Sequence, residues 1–169
     1  MELTQDITDW TNKDVTVTIK TSTDCVAPEG WKQVNKRTFT KVFNANGEYS
    51  VTLTSVTGLT GDAHLFSITN IDKEAPVIDY AAIESANGYR KEIPVNEGEE
   101  YTEEKLVEMF TKPEWVSDNS GTATFKVDKW GLEHGLDGYQ PFTSKTPGEY
   151  KVRFYAYDAA GNNSSLMFM

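Results

Sequence analysis

Val15-Thr16-Val17-Thr18-Ile19 alternates strictly between apolar and polar residues. A period of two puts one set of side chains in a core and the other in water, which a strand can do and a helix cannot. Thr38-Phe39-Thr40-Lys41-Val42-Phe43 is rich in β-branched and aromatic residues, and Tyr49-Ser50-Val51-Thr52-Leu53 alternates again. Residues 63–69 supply a further strand. Asn46-Gly47, between two of these runs, predicts a hairpin turn, because both residue types tolerate positive φ. No segment of this half sustains a helical period of apolar residues, so the half reads as all-β.

The rest of the chain carries one exception. Thr102 is a good N-cap, acids follow in the first turn, and Leu106, Met109 and Phe110 share one helix face at i, i+3 and i+4. Pro113 cannot continue the run, which predicts one short helix near 102–111. Residues 76–80, 122–127, 149–157 and 166–169 read as strands around it. Ile71-Asp72-Lys73-Glu74-Ala75-Pro76 separates the halves as a short charged linker in which the proline favours extended backbone. Nine acidic and seven basic residues precede Glu74, against 17 and nine from there on. The predicted domains are therefore 1–73 and 74–169.

Composition removes several classes of function. The formal charge of −10 argues against nucleic acid or an anionic membrane as partner. No apolar run approaches the ~20 residues of a membrane span, so no membrane insertion is expected. Cys25 is the single cysteine and His64 and His134 the two histidines, which rules out an internal disulfide framework and any cysteine-based zinc site within one chain. No Gly-x-Ser-x-Gly elbow, His-Glu-x-x-His or phosphate loop occurs. The acids Glu97, Glu99, Glu100, Glu103, Glu104 and Glu108 surround a helix start, where solvation and dipole complementarity explain them better than paired catalytic carboxylates do. The expectation is a protein that is not an enzyme and has no catalytic residues.

Gly47-Glu48-Tyr49-Ser50-Val51 recurs as Gly148-Glu149-Tyr150-Lys151-Val152. A tyrosine that opens a strand after a glycine turn suits a sandwich corner, where its phenol bonds back to backbone, so Tyr49 and Tyr150 are read as structural corners. The first half, through Trp10 to Val17, Glu29-Gly30-Trp31, Asn46 to Tyr49 and Ile71 to Ile78, resembles an Ig-like repeat of large bacterial surface proteins. The second half resembles the bacterial Ig-like/HYR-type repeat, through Ser117-Asp118-Asn119-Ser120-Gly121, Pro147-Gly148-Glu149-Tyr150 and Tyr157-Asp158-Ala159-Ala160-Gly161-Asn162. The resemblance implies two tandem immunoglobulin-like β-sandwiches, the second with one short inserted helix. It implies a stalk or spacer module, monomeric, at the bacterial cell surface or secreted, with neighbouring adhesin or glycan-active domains as partners. Ser55 to Gly61 departs from it, standing where an Asp-x-x-Gly-Asn hairpin is usual. Met1 to Asp6 shows no signal-peptide pattern, so this reading implies an excised piece starting at an introduced Met1.

Two binding sites follow as expectations. In an Ig sandwich, Asp118 and Asn119 lie on the B–C connection, Asp158 and Asn162 on the F–G hairpin, and the linker brings Asp72 and Glu74 to the same pole. Carboxylate and amide oxygens from three segments are what Ca²⁺ needs for its six to eight ligands. Ordinary turn chemistry is the competing reading, since Asp and Asn cap their own turns. An EF-hand is excluded, because the glycine and glutamate its loop needs after Asp118 are Ala123 and Lys129. The other expectation is a carbohydrate- or host-protein-binding accessory role through exposed rings, with Trp130 and Tyr139 as the ligand-binding candidates.

Overall fold

The computed structural model describes residues 1–88, 102–132, 150–164 and 167–168. The chain divides into two compact units, Met1–Lys73 and Glu74–Met169. Strands dominate the described residues, in several small antiparallel sheets, with two short α-helices. None of the described helices is long and apolar enough to cross a membrane.

The first unit contains β1 (Glu2–Gln5), β2 (Val15–Lys20), β3 (Cys25–Val26), β4 (Lys32–Asn35), β5 (Thr38–Phe43), β6 (Gly47–Val51), β7 (Thr54–Ser55) and β8 (His64–Ile68). One sheet runs β1-β2-β5-β4, while β3 pairs with β7 and β6 with β8. The alternation of β2 is realised directly: Val15, Val17 and Ile19 are fully buried and Thr16 and Thr18 half-buried. Those valines share a core with Phe39 and Phe43 of β5, Val51 of β6 and Ile68 of β8, so the four-stranded sheet and the β6–β8 pair bury their inner faces together. Trp31 belongs to this core, its ring edge-on to Phe43 and Phe66 at 6.2 and 6.3 Å.

Asn46-Gly47 does not make the hairpin its sequence suggests. β5 pairs with β2 and β4 and β6 with β8, so the segment between them crosses from one sheet to the other. Neither residue has positive φ; among the described residues the glycines that do are Gly30, Gly58, Gly88, Gly121 and Gly161. The reason is tertiary: the Asn46 amide is committed to Ile71, 25 residues away.

The second unit holds β9 (Val77–Ile78), α1 (Tyr80–Asn87), α2 (Glu103–Phe110), a 3-10 turn at Pro113–Trp115, β10 (Val116–Ser117), β11 (Thr124–Leu132), β12 (Tyr150–Tyr157) and β13 (Met167–Phe168). β9 pairs with β10, and β11-β12-β13 form a sheet. α2 starts where its sequence says, with the Thr102 hydroxyl accepting the Lys105 N–H. Its Leu106 and Phe110 are buried, and the Phe110 ring lies 6.0 Å from that of Phe154. The core of the unit adds Ile78, Ile83, Phe125, Val127, Val152 and Ala156.

A single helix was the expectation for this half, and α1 corrects it. Residues 76–80 form only the two-residue β9, after which Asp79 accepts the Ala82 N–H and opens α1. Ala81, Ala82 and Ala86 favour the helix intrinsically, but Ile83 is its only buried residue, so no apolar stripe announces it.

Candidate metal centre

Asp118 follows β10 and opens the turn that leads to β11. Its Oδ1 accepts the Ser120 N–H at 3.0 Å and the Ser120 hydroxyl, and the Gly121 N–H returns to its carbonyl at 3.2 Å. Gly121 takes φ +68°, the left-handed conformation that closes the turn without a Cβ clash. Asp158 follows β12 and is 3% exposed. Its Oδ1 accepts the Asn162 N–H and its Oδ2 the Asn162 Nδ2, both at 2.8 Å, with Gly161 at φ +90° between them.

The two turns, forty residues apart, meet within the unit. Thr124 of β11 pairs with Tyr157 of β12, which sets the residues on either side against one another. The Ala159 N–H then donates to the Thr122 hydroxyl at 3.0 Å, and Thr122 and Ser120 share a hydroxyl contact of 2.7 Å. Asp118 and Asp158 thereby present carboxylate oxygens within 4.8 Å of each other. Two ligands of one Ca²⁺, each at about 2.3–2.6 Å, can stand up to ~5 Å apart, so a single ion can bridge this pair.

The partners of each oxygen distinguish the two acids. Both oxygens of Asp158 hold its own turn, which is the local capping chemistry expected of the Asp158-Ala159-Ala160-Gly161-Asn162 segment. Asp118 Oδ2 is shut off from solvent and has no hydrogen-bond partner among the described residues. A buried carboxylate oxygen left in that state is costly, and more so beside a second carboxylate.

The remaining expected residues are placed as follows. Asn119 is exposed beside Asp118, Asn162 is half-buried, and Glu74 is exposed on the segment that runs into β9. Asp72 is buried at the end of the first unit, its N–H donating to the Thr11 carbonyl at 2.9 Å. The Tyr49 hydroxyl donates to the Ala45 carbonyl at 2.9 Å, and its ring packs 4.5 Å from Phe43 and 5.7 Å from Phe66. Tyr150 is the first residue of β12, opposite Leu132, and Trp130 lies in β11 opposite Val152. Tyr139 and the acids Glu97, Glu99 and Glu100 lie outside the described residues. What sequence reasoning missed is the pair Ser120 and Thr122, whose hydroxyls tie the two turns together; a Ser-x-Thr after an Asp turn was the available signal.

Comparison with known proteins returns no match to a family model, a curated sequence or a solved structure.

Proposed function

We propose that the chain is a non-catalytic structural module of a bacterial secreted or cell-surface protein, two tandem immunoglobulin-like sandwiches that space neighbouring domains. In this reading the second unit is stiffened by a divalent cation of the Ca²⁺ class. The observation that carries it is the Asp118–Asp158 pair with its buried, unsatisfied Oδ2, since a hard cation supplies the missing partner and cancels the repulsion at once. Val77 pairs with Ser117, so the segment entering β9 runs at the same end of that ladder as Asp118. The reading assigns Glu74 of that segment as a further carboxylate, with Asn119 and Asn162 offering amide oxygens.

Calorimetric melting in CaCl₂ and in EGTA tests this. For a site of the extracellular class, with a dissociation constant of ~1 mM, ~10 mM Ca²⁺ stabilises the native state by about 1.4 kcal/mol. That corresponds to a rise of roughly 6–11 °C for a unit this size. An equal melting temperature in both buffers overturns the cation reading.

A further inference from the structure

Asn46 and Gly47 each suit the fold, for separate reasons. The Asn46 amide closes on residue 71 from both of its ends. Its Nδ2 donates to the Ile71 carbonyl at 2.7 Å, and the Ile71 N–H donates to its Oδ1 at 2.9 Å. Residues on either side of Ile71 are held by Thr11, through Thr11 N–H to Asn70 O and Asp72 N–H to Thr11 O, both 2.9 Å. The side-chain amide thus stands in for a neighbouring strand along the exit segment 70–72, satisfying backbone groups that would otherwise lack a partner there. Gly47 answers to a different neighbour. A Cβ at position 47 would lie 3.3 Å from both Cζ and Oη of Tyr49, whose ring packs in the Phe43–Phe66 cluster. Asparagine is needed for the clip, and glycine spares the Tyr49 ring a shift of a few tenths of an ångström. Together they make the dipeptide in which the backbone nitrogen attacks the preceding side-chain amide with least steric hindrance.

We propose that Asn46 is a deamidation site gated by the exit segment: protected while the amide is closed on Ile71, and reactive when residues 70–72 open. In the closed state both amide atoms are engaged, so turning Cγ toward Gly47 N requires breaking both bonds to Ile71. In the open state Gly47 N gives up its proton to solvent and bonds to Asn46 Cγ. The Cγ–Nδ2 bond breaks and ammonia leaves, forming a succinimide that water hydrolyses to aspartate or isoaspartate. The carboxylate product can still accept the Ile71 N–H but has no proton for the Ile71 carbonyl, so two oxygens face each other and the clip does not re-form. Each sufficiently long opening of the exit segment is recorded irreversibly at residue 46.

The test incubates the full chain in mildly alkaline buffer, folded and in urea, and follows conversion of residue 46 by peptide mapping and mass spectrometry. Conversion in the folded chain is expected to be at least about tenfold slower, the factor set by an opening free energy of about 1.4 kcal/mol. Equal rates folded and unfolded overturn the proposal, and this arm needs only the wild-type chain. Asn46→Asp supplies the second arm, read by hydrogen exchange at Ile71 and Asp72. Severalfold faster exchange there, with exchange at Val17 unchanged, supports the latch; wild-type exchange at Ile71 in this variant overturns it.

Discussion

Asp118→Asn separates a carboxylate that stabilises the second unit by itself from one that needs a cation. In the wild type, oxygens of Asp118 and Asp158 lie within 4.8 Å of each other. Two unit charges at that distance repel by ~3.5 kcal/mol at an effective dielectric constant of ~20. Hydrogen bonds from Ser120 and Asn162 offset part of this, yet Asp118 Oδ2 receives none. Asparagine keeps an Oδ1 for Ser120 and replaces the orphan oxygen with an NH₂ that can donate toward Asp158. The substitution weakens the Ser120 contacts by ~1 kcal/mol, the difference between charged and neutral acceptors. The net gain in a chelator is about 2 kcal/mol, or roughly 8–16 °C of melting temperature in a unit this size. In ~10 mM Ca²⁺ the advantage shrinks or reverses, because the variant has lost an anionic ligand. Calorimetry of both proteins in EGTA and in CaCl₂ measures all four values. A variant that melts below the wild type in EGTA refutes the reasoning, because it shows the Asp118 charge to be favourable without a cation.

Tyr49→Phe removes the bond to Ala45 and keeps the ring against Phe43 and Phe66, so urea unfolding of the first unit should lose about 1 kcal/mol; Tyr49→Ala should lose clearly more. Phe154 is fully buried against Phe110, and Phe154→Ala should cost the second unit about 3–5 kcal/mol by the same assay; a cost under ~1 kcal/mol would contradict the packed core described for it. The Arg37 hydrogen bond to Asp24, 2.6 Å, holds that carboxyl below its ordinary value of 3.8. A depressed folded value means stability that is present above the unfolded pKa and lost as pH falls through the folded one. The stability difference between wild type and Arg37→Gln should therefore be constant near neutrality and vanish as pH drops below 3.8; a difference that grows on acidification would reverse the sign.

What could be read from the sequence depended on whether a residue's partner is local. The inward face of β2 was legible because alternation is a property of five consecutive residues. α2 was legible because its cap and its i, i+4 pair, Leu106 and Phe110, sit within nine positions. α1 offered one buried anchor, and the two-residue strands β3, β7, β9 and β10 exist only through partners far along the chain. Asn46-Gly47 shows the cost of reading locally: its propensity for a tight turn is real, but two hydrogen bonds to Ile71 outweigh it.

The acidic site poses the same problem in sharper form, because an aspartate that caps a turn and one that binds an ion look alike in a sequence. The partners of each oxygen separate them. Both oxygens of Asp158 are taken by Asn162, so this residue builds the turn whatever else it does. Asp158→Asn would set an NH₂ against either the Asn162 N–H or its Nδ2, breaking one hydrogen bond to a buried charged acceptor. In EGTA that loss, about 1.5–3 kcal/mol, is set against the same ~3.5 kcal/mol relief of repulsion that Asp118→Asn enjoys, so Asp158→Asn should gain less there. In CaCl₂ it loses an anionic ligand as well. Asp118→Asn is expected to stabilise in EGTA and to lose that advantage in CaCl₂. Both substitutions therefore lose ground in CaCl₂, and Asp118→Asn is the more stable of the two in the chelator. If both destabilise there by similar amounts, Asp118 is a turn residue like Asp158, and the case for a cation between them falls.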